Sequence, residues 1–128
     1  MIGSFAAQSA IHAALVAAGV AGGRIHDDPP PDVVFPYVQI GDGQALSDDA
    51  QCRDGTNDFF DLHIWSRYRG MKEVDEIADA IHDTLHDAAL AVSGRNVTAV
   101  RVGPLRRLRD PDGITRHGVL TVRIMHTE

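Results

Sequence analysis

The chain has 128 residues, a length that suits one domain with one hydrophobic core. Hydrophobic residues make up 44% and charged residues 23%, as in ordinary globular proteins, which excludes disorder of the whole chain. The net charge of −6 argues against general nucleic-acid binding. We therefore predict a single domain over residues 1–128 with no export signal and no membrane anchor. Because Cys52 is the single cysteine, no internal disulfide is possible and a reducing compartment fits best.

Charge is divided unevenly along the chain. Residues 1–94 hold five Lys/Arg against fifteen Asp/Glu, a net charge of −10, whereas residues 95–128 hold seven against three, a net charge of +4. A small protein with such complementary ends is suited to an acidic partner, and that partner can be another copy of itself.

The first predicted element is a helix over residues 4–18. Ser4 suits the N-cap, and the apolar residues recur at a spacing that places them on one face. These residues are Ala7, Ile11, Leu15 and Ala18. Gly19, followed by Gly22 and Gly23, is predicted to end the helix.

A proline-rich linker separates this helix from the first long strand. Residues 24–26 fit a short strand, and the prolines of residues 27–32 exclude a helix. Residues 36–40 have strand composition, and the glycines that follow are predicted to end that strand at Gly41. Residues 42–55 are then predicted to form a long acidic loop.

Strict alternation predicts a strand over residues 56–65. Because both of its faces carry aromatic residues, we expect one face to cover the core and the other to be covered by a helix or a partner. One face holds Phe60, Leu62 and Ile64, and the other holds Phe59, Asp61, His63 and Trp65.

A second helix is predicted from Met71 to about Leu85. Its apolar residues form one stripe, and its opposite side is acidic and solvated. The stripe consists of Met71, Val74, Ile77, Ala78, Ile81 and Leu85, and the opposite side of Asp75, Asp79, His82, Asp83 and His86.

The C-terminal residues are predicted to form a β-hairpin. Residues 96–102 form a strand, a Gly-Pro pair interrupts or bulges it, and residues 105–109 continue it outward. Residues 110–113 are a type I turn signal, and residues 114–126 return as a strand. The order α-β-β-α-β-β predicts an α+β fold, in which a mixed or antiparallel sheet is covered by two helices and the C-terminal hairpin protrudes.

Histidines raise the alternative of a small metal-dependent enzyme. His82 and His86 stand four residues apart on the second helix, a spacing by which two imidazoles share a zinc ion, with an aspartate of the same helix as a third ligand. No third histidine stands at a suitable distance, so an exposed polar helix face is the preferred interpretation. His63 beside Asp61 suggests an acid–base pair, but no nucleophile in a strained turn completes a triad. We therefore interpret His63 as a semi-buried histidine that a neighbour satisfies, and we predict no cofactor, metal or catalytic residue.

The basic hairpin is the candidate site. A loop of two or three residues places Arg107 or Leu108 opposite Arg116. One interpretation is a hairpin edged with charge to discourage aggregation. The other follows from its length, because the tip reaches past the core and its apolar residues, Ile114 among them, need a neighbour to bury them. The predicted protein-interaction residues are Leu105, Arg106, Arg107, Leu108, Arg109 and Arg116.

Four segments, taken in order, resemble the tail-completion or tail-terminator family of long-tailed phages and gene transfer agents. They are residues 36–41, 61–67, 71–85 and 109–118, and they extend over nearly the whole chain. Their order and spacing together, rather than any single motif, carry the resemblance.

The resemblance implies a structural virion protein that is not an enzyme. Family members form a hexameric ring on the head-proximal end of the tail tube, stop the addition of tube subunits and offer a surface to the head-side connector. The implied partners are other copies of the chain, the tail tube protein and a connector or neck protein. DNA passes through the lumen without sequence-specific binding, and no membrane is involved. The implied location is the virion tail, after assembly in the bacterial cytoplasm. A neck or stopper protein of similar fold, which contacts DNA with the same arginines, is the alternative.

Overall fold

The structure, a computed structural model, describes residues 2–47 and 55–128. Two helices pack on one face of a five-stranded sheet, which confirms the predicted α+β class. No helix within these residues is long and apolar enough to cross a membrane. The elements in chain order are α1 (Ser4–Ala17), a 3-10 turn (Val20–Gly23), β1 (Ile25–His26), β2 (Tyr37–Ser47), β3 (Gly55–Ser66), α2 (Lys72–Leu85), β4 (Asn96–Arg109) and β5 (Arg116–Thr127).

The strands lie in the order β1-β2-β3-β5-β4. The two-residue strand β1 pairs parallel with β2, and all other neighbours are antiparallel. The sheet is therefore mixed, one of the two predicted arrangements. Strand β1 is the short strand predicted for residues 24–26, which the predicted order of elements did not include. Strand β4 forms one edge of the sheet, and β1 together with the second half of β2 forms the other.

One face of the sheet, which we call the helix side, packs against α1 and α2. Strand β3 presents Phe60, Leu62 and Ile64 to this core, as its alternation predicted, and β5 presents Leu120, Val122 and Ile124. The predicted faces of both helices are also buried: Ala7, Ile11 and Leu15 of α1, and Val74, Ile77, Ala78, Ile81 and Leu85 of α2. The opposite face of the sheet, which we call the open side, carries Phe59, Asp61, His63 and Trp65, all half-buried.

Helix α2 approaches the sheet closely at Gly118 of β5. A Cβ atom at this position would lie 2.6 Å from Cγ1 of Val74 and 3.4 Å from Cδ1 of Leu105. Because real side-chain contacts are never that short, a glycine here lets the helix pack tightly against β5.

Two predictions about the first helix were wrong. Ser4 is not the N-cap: Gly3 precedes the helix with a φ of 79°, and the Ser4 hydroxyl instead donates a hydrogen bond to Asp58 at 2.7 Å. Ala18 is exposed, because the helix ends at Ala17.

The glycines at 41 and 43 do not end the strand that precedes them. Strand β2 continues through them to Ser47, with a shift of register between Ile40 and Gly43. At Gly41 a Cβ atom would lie 2.4 Å from the His63 ring, so the glycine makes room for that histidine. The predicted loop over residues 42–55 was therefore wrong at both ends, and its middle, residues 48–54, lies outside the described residues.

The C-terminal hairpin was predicted correctly in outline and wrongly in register. The bulge lies where predicted, between Val102 and Leu105. The connection between β4 and β5 spans residues 110–115, so Arg109, rather than Arg107 or Leu108, lies opposite Arg116. Ile114 belongs to the turn and not to β5.

Candidate interaction surface

The tip of the β4–β5 hairpin is fixed by Asp112. Its carboxylate accepts hydrogen bonds from the amides of Thr115 at 2.7 Å and Ile114 at 2.8 Å, and from the Thr115 hydroxyl at 2.7 Å. These bonds, chiefly that of the Thr115 amide, lower the pKa of Asp112 to about 2. The turn itself closes with the Gly113 amide donating to the Asp110 carbonyl at 3.1 Å, and Gly113 has a φ of 73°. These hydrogen bonds fix the backbone conformation of the tip.

The six predicted interaction residues do not share one surface. Leu105 is half-buried and packs against the core. Arg107 points to the helix side, where its Nη1 lies 3.1 Å from Oδ2 of Asp75 on α2. Arg116 donates from Nη1 to the Ile114 carbonyl at 2.7 Å and bridges its own turn.

Four of the six residues are exposed: Arg107, which faces the helix side, and Arg106, Leu108 and Arg109, which an apolar residue of the tip joins. Arg106 and Leu108 project from the open side, because they lie opposite Val119 and His117. Leu108 is 42% exposed and Ile114 is 60% exposed. Arg109 is exposed at the end of β4. A tip that presents apolar and basic side chains together has the composition of a protein-binding surface.

Three rings and a leucine form a row across the open side. Tyr37, Trp65, His117 and Leu108 align on β2, β3, β5 and β4. The Trp65 and His117 rings stack with centroids 3.8 Å apart and planes 6° apart. Within the described residues the Trp65 Nε1 atom has no hydrogen-bond partner, although it is buried. The row thus leads from the middle of the sheet to the exposed Leu108 at its edge.

His63 lies beside this row and pairs with His117. The His63 Nδ1 and His117 Nε2 atoms are 2.8 Å apart, so one ring donates and the other accepts. Burial, followed by the nearby His63 and Arg106, lowers the pKa of His117. The prediction of a semi-buried His63 satisfied by a neighbour is confirmed, but the neighbour is His117. Asp61 accepts instead from the Thr121 hydroxyl at 2.9 Å.

Three arginines of the sheet lie on the open side. Arg101 and Arg123 lie opposite each other on β4 and β5, and Arg106 lies on the same face. Arg123 donates to Asn57 at 3.3 Å and Arg101 pairs with Asp87.

A buried polar network, which the sequence analysis missed, lies at the other end of the helix side. His126 Nε2 lies 2.6 Å from Oδ2 of Asp58, and Arg95 Nε donates to His126 Nδ1 at 3.0 Å. Because a guanidinium can only donate, Nδ1 of His126 accepts the hydrogen bond from Arg95. Nε2 of His126 therefore carries the hydrogen and donates it in the hydrogen bond to Asp58. Ser4 and Thr56 extend the network towards the N-terminus. The alternation of the strands contains a sign of this network. Asp58 lies two residues from the core-facing Phe60, and His126 lies two residues from the core-facing Ile124, so both polar side chains are placed on the buried face.

His82 and His86 differ in burial and in hydrogen bonding. The rings of His82 and His86 stack 4.5 Å apart, and His82 is exposed as expected. His86 was predicted to lie on the solvated side and does not: it is half-buried, and its Nδ1 accepts the Val102 amide of β4 at 3.1 Å. Within residues 2–47 and 55–128 no group of three or more His, Cys, Asp or Glu side chains is arranged to hold a metal ion.

Comparison with known proteins identifies the family. The family model described as "Tail completion protein gp17" matches residues 8–127. A curated relative, tail completion protein gp17 of Bacillus phage SPP1, is 27% identical over 100 residues, which are 78% of this chain and 74% of the relative. A solved structure titled "Virion of native gene transfer agent (GTA) particle" contains a chain that superposes with a TM-score of 0.85. That match covers 94% of both chains at 21% identity, so it shows a shared fold. Because the family model matches nearly the whole sequence, this chain belongs to the tail completion protein gp17 family and is a structural protein of the virion tail.

Proposed function

We propose that this chain forms a ring, of six copies, on the head-proximal end of the tail tube. The ring ends the addition of tube subunits and joins the tail to the head-side connector or neck protein, and DNA passes through its lumen without sequence-specific binding. The observation that carries the proposal is the asymmetry of the molecule. A closed ring requires two unlike surfaces on each copy, because each subunit meets the next head to tail.

The hairpin tip supplies one of these surfaces. Arg109, Leu108 and Ile114 are exposed there, and residues 95–128 carry a net charge of +4. The other surface belongs to the acidic residues 1–94, whose net charge is −10. Opposite charges on the two surfaces favour contact between successive copies and disfavour contact between like surfaces.

A tube-extension experiment tests the function. Tail tubes are incubated with the purified chain, more tube subunits are then added, and tube lengths are measured by negative-stain electron microscopy. We expect a ring at one end of each tube and no growth from that end. Growth equal to that of untreated tubes, with no bound ring, would contradict the proposal.

A neck or stopper protein is the second candidate, and three arginines of the open side favour it. Arg101, Arg106 and Arg123 share that face and supply positive charge for a phosphate backbone. That function predicts DNA retention that falls steeply with salt concentration, measured on a DNA column. The ring proposal predicts capping of tubes in the absence of DNA.

A further inference from the structure

We propose that neighbouring copies join by β-strand pairing between two uncovered strand edges. Residues 105–109 of β4 in one copy pair with residues 41–46 of β2 in the next copy. The inference rests on the proposed ring and names the contact that builds it.

Among the described residues, the edge of β2 is covered only along its first half. Strand β1 pairs with Val38 and Gln39 and ends there. Beyond this point residues 41–42 lie in the register shift and residues 43–46 pair with β3. Within the described part of the chain, residues 41–46 pair with no strand on the other side. An uncovered edge offers a row of backbone donors and acceptors to a further strand.

The edge of β4 is also half-covered, at the opposite end. The connection after α2 covers its first half, because the Asp87 amide donates to the Val100 carbonyl at 3.0 Å and the Val102 amide to His86 at 3.1 Å. No such cover extends over residues 105–109 among the residues that the structure describes. Asp110 donates to Thr115 within the hairpin at 3.0 Å. The Asp110 amide therefore points towards β5. Because the direction of the amides alternates from one residue to the next along an antiparallel strand, the amides of residues 105, 107 and 109 point away from β5.

The two uncovered edges have the right directions to pair. Strands β2 and β4 run in opposite directions within one sheet. Copies related by rotation about a ring axis have the same orientation, so β4 of one copy meets β2 of the next as an antiparallel pair. Successive sheets then join into one continuous closed sheet, which leaves no free edge.

Each of the two edges carries one exposed leucine, and both leucines lie on the same face of the sheet. Leu46 is 44% exposed and Leu108 is 42% exposed, and both lie on the open side, opposite Asn57 and His117. Residues that face each other across a strand pair share a face, so Leu108 must lie opposite Gln44 or Leu46. In either register the two leucines are direct or diagonal neighbours and bury each other.

The offset between the edges fits a closed sheet. Gln44 is level with Arg123 and Leu108 with His117, and these two positions are six residues apart on β5. Pairing Leu108 with Gln44 therefore shifts successive copies by roughly 20 Å along the strands. Each copy contributes four long strands about 4.8 Å apart, so its sheet is about as wide as this shift is long. The strands are then tilted by about 45° from the ring axis, which is close to the strand tilt in closed β-barrels.

Disulfide trapping tests the contact. In a Cys52→Ser background, Leu108→Cys is combined on one chain with Gln44→Cys, with Leu46→Cys or with Ala45→Cys. Ala45 lies between the other two but faces the helix side, opposite Asp58, so it is the matched control. The proteins are oxidised on tail tube ends and separated without reductant. We expect a ladder of covalent oligomers for Gln44→Cys or Leu46→Cys, at least about tenfold stronger than for Ala45→Cys.

A proline variant tests the backbone contact separately. Arg109→Pro removes an amide that points away from β5, whereas Arg109→Ala removes the same charge and keeps the amide. We expect about tenfold or greater loss of ring formation for Arg109→Pro relative to Arg109→Ala, with unchanged circular dichroism. Equal ring formation by the two variants, or rings on tubes without trapping in either expected pair, overturns the strand pairing and leaves the ring function standing. Absence of rings and of tube capping with the wild-type chain overturns the proposed function itself.

Discussion

The two sides of the sheet differ in how far the chain's own helices cover them. On the helix side, Asp58 and His126 are buried and hydrogen-bonded to each other, and α1 and α2 complete the core. On the open side, Trp65 keeps an unpaired indole nitrogen among the described residues, and Leu46 and Leu108 are exposed at opposite edges. The difference indicates that the helix side stabilises the monomer, and it supports the proposal that other copies complete the open side and its two edges.

The largest expected difference between the sides concerns two aspartates of the same strand. Asp58→Ala leaves His126 without its carboxylate partner and removes the buried negative charge from the network that holds Arg95, and we expect a loss of about 3–5 kcal/mol in the free energy of unfolding. Asp61→Ala on the open side removes one half-buried hydrogen bond to Thr121, for which we expect about 1 kcal/mol. Chemical denaturation measures both, and equal losses would contradict the division between the sides.

Packing of α2 on the helix side gives the next largest effect. Gly118→Ala places a methyl group against Val74, and we expect a loss of about 1–3 kcal/mol in the free energy of unfolding. Combining it with Val74→Ala removes the clash. The double variant should therefore be more stable than the sum of the two single losses predicts. Strict additivity would show that the helix does not depend on this close approach.

Charge reversal at neighbouring positions of β4 separates stability from assembly. Arg107→Glu replaces an ion pair with Asp75 by two carboxylates, and we expect a loss of up to about 1 kcal/mol in the free energy of unfolding, since the pair is half-exposed. Arg109 lies opposite Arg116, so Arg109→Glu replaces two like charges by opposite ones. The monomer of this variant should be as stable as the wild type or slightly more stable. The same Arg109→Glu variant should impair ring formation on tubes. Wild-type assembly by this variant would exclude Arg109 from the contact.

The smallest expected effect concerns pH and the open side. The pKa of His117 is held below its ordinary value by burial, His63 and Arg106, although Asp110 opposes this. The folded chain thus binds this proton less readily than the unfolded chain, so His117 lowers stability as pH falls through about 6.5. His117→Phe keeps a ring against Trp65 and removes the proton. The loss of stability between about pH 8 and about pH 5.5 should therefore be smaller in the variant, and an unchanged loss would exclude His117 as its source.

Local periodicity predicted the helix side well. The alternation around Leu62 and the stripe from Val74 to Leu85 each place their residues in the core as expected, because burial on one face imposes a period on the sequence. The same parity contained the signal for the buried network, since Asp58 and His126 occupy core-facing positions. Arg95 lies outside any strand, so no pattern predicts that it joins them.

The edges were harder to predict, because they depend on pairing between distant segments. Gly41 and Gly43 have the composition of a strand end, yet one makes room for His63 and the other follows a shift of register within β2. The hairpin register depended on the Asp112 side chain, which stabilises a connection longer than the turn motif alone predicts. Leu105 and Leu108 were both predicted as interaction residues of one hairpin, although their spacing on a continuous strand places them on opposite faces.

Amide hydrogen exchange tests the central claim most directly, because it reports on backbone hydrogen bonds along each edge. Exchange is measured by mass spectrometry on the free chain and on the chain bound to tail tube ends. We predict slower exchange in residues 41–46 and 105–109 on assembly, with little change in α1 and in the core-facing strands. Slower exchange in the helices, with the two edges unchanged, would contradict the assignment of the edges as the contact between copies.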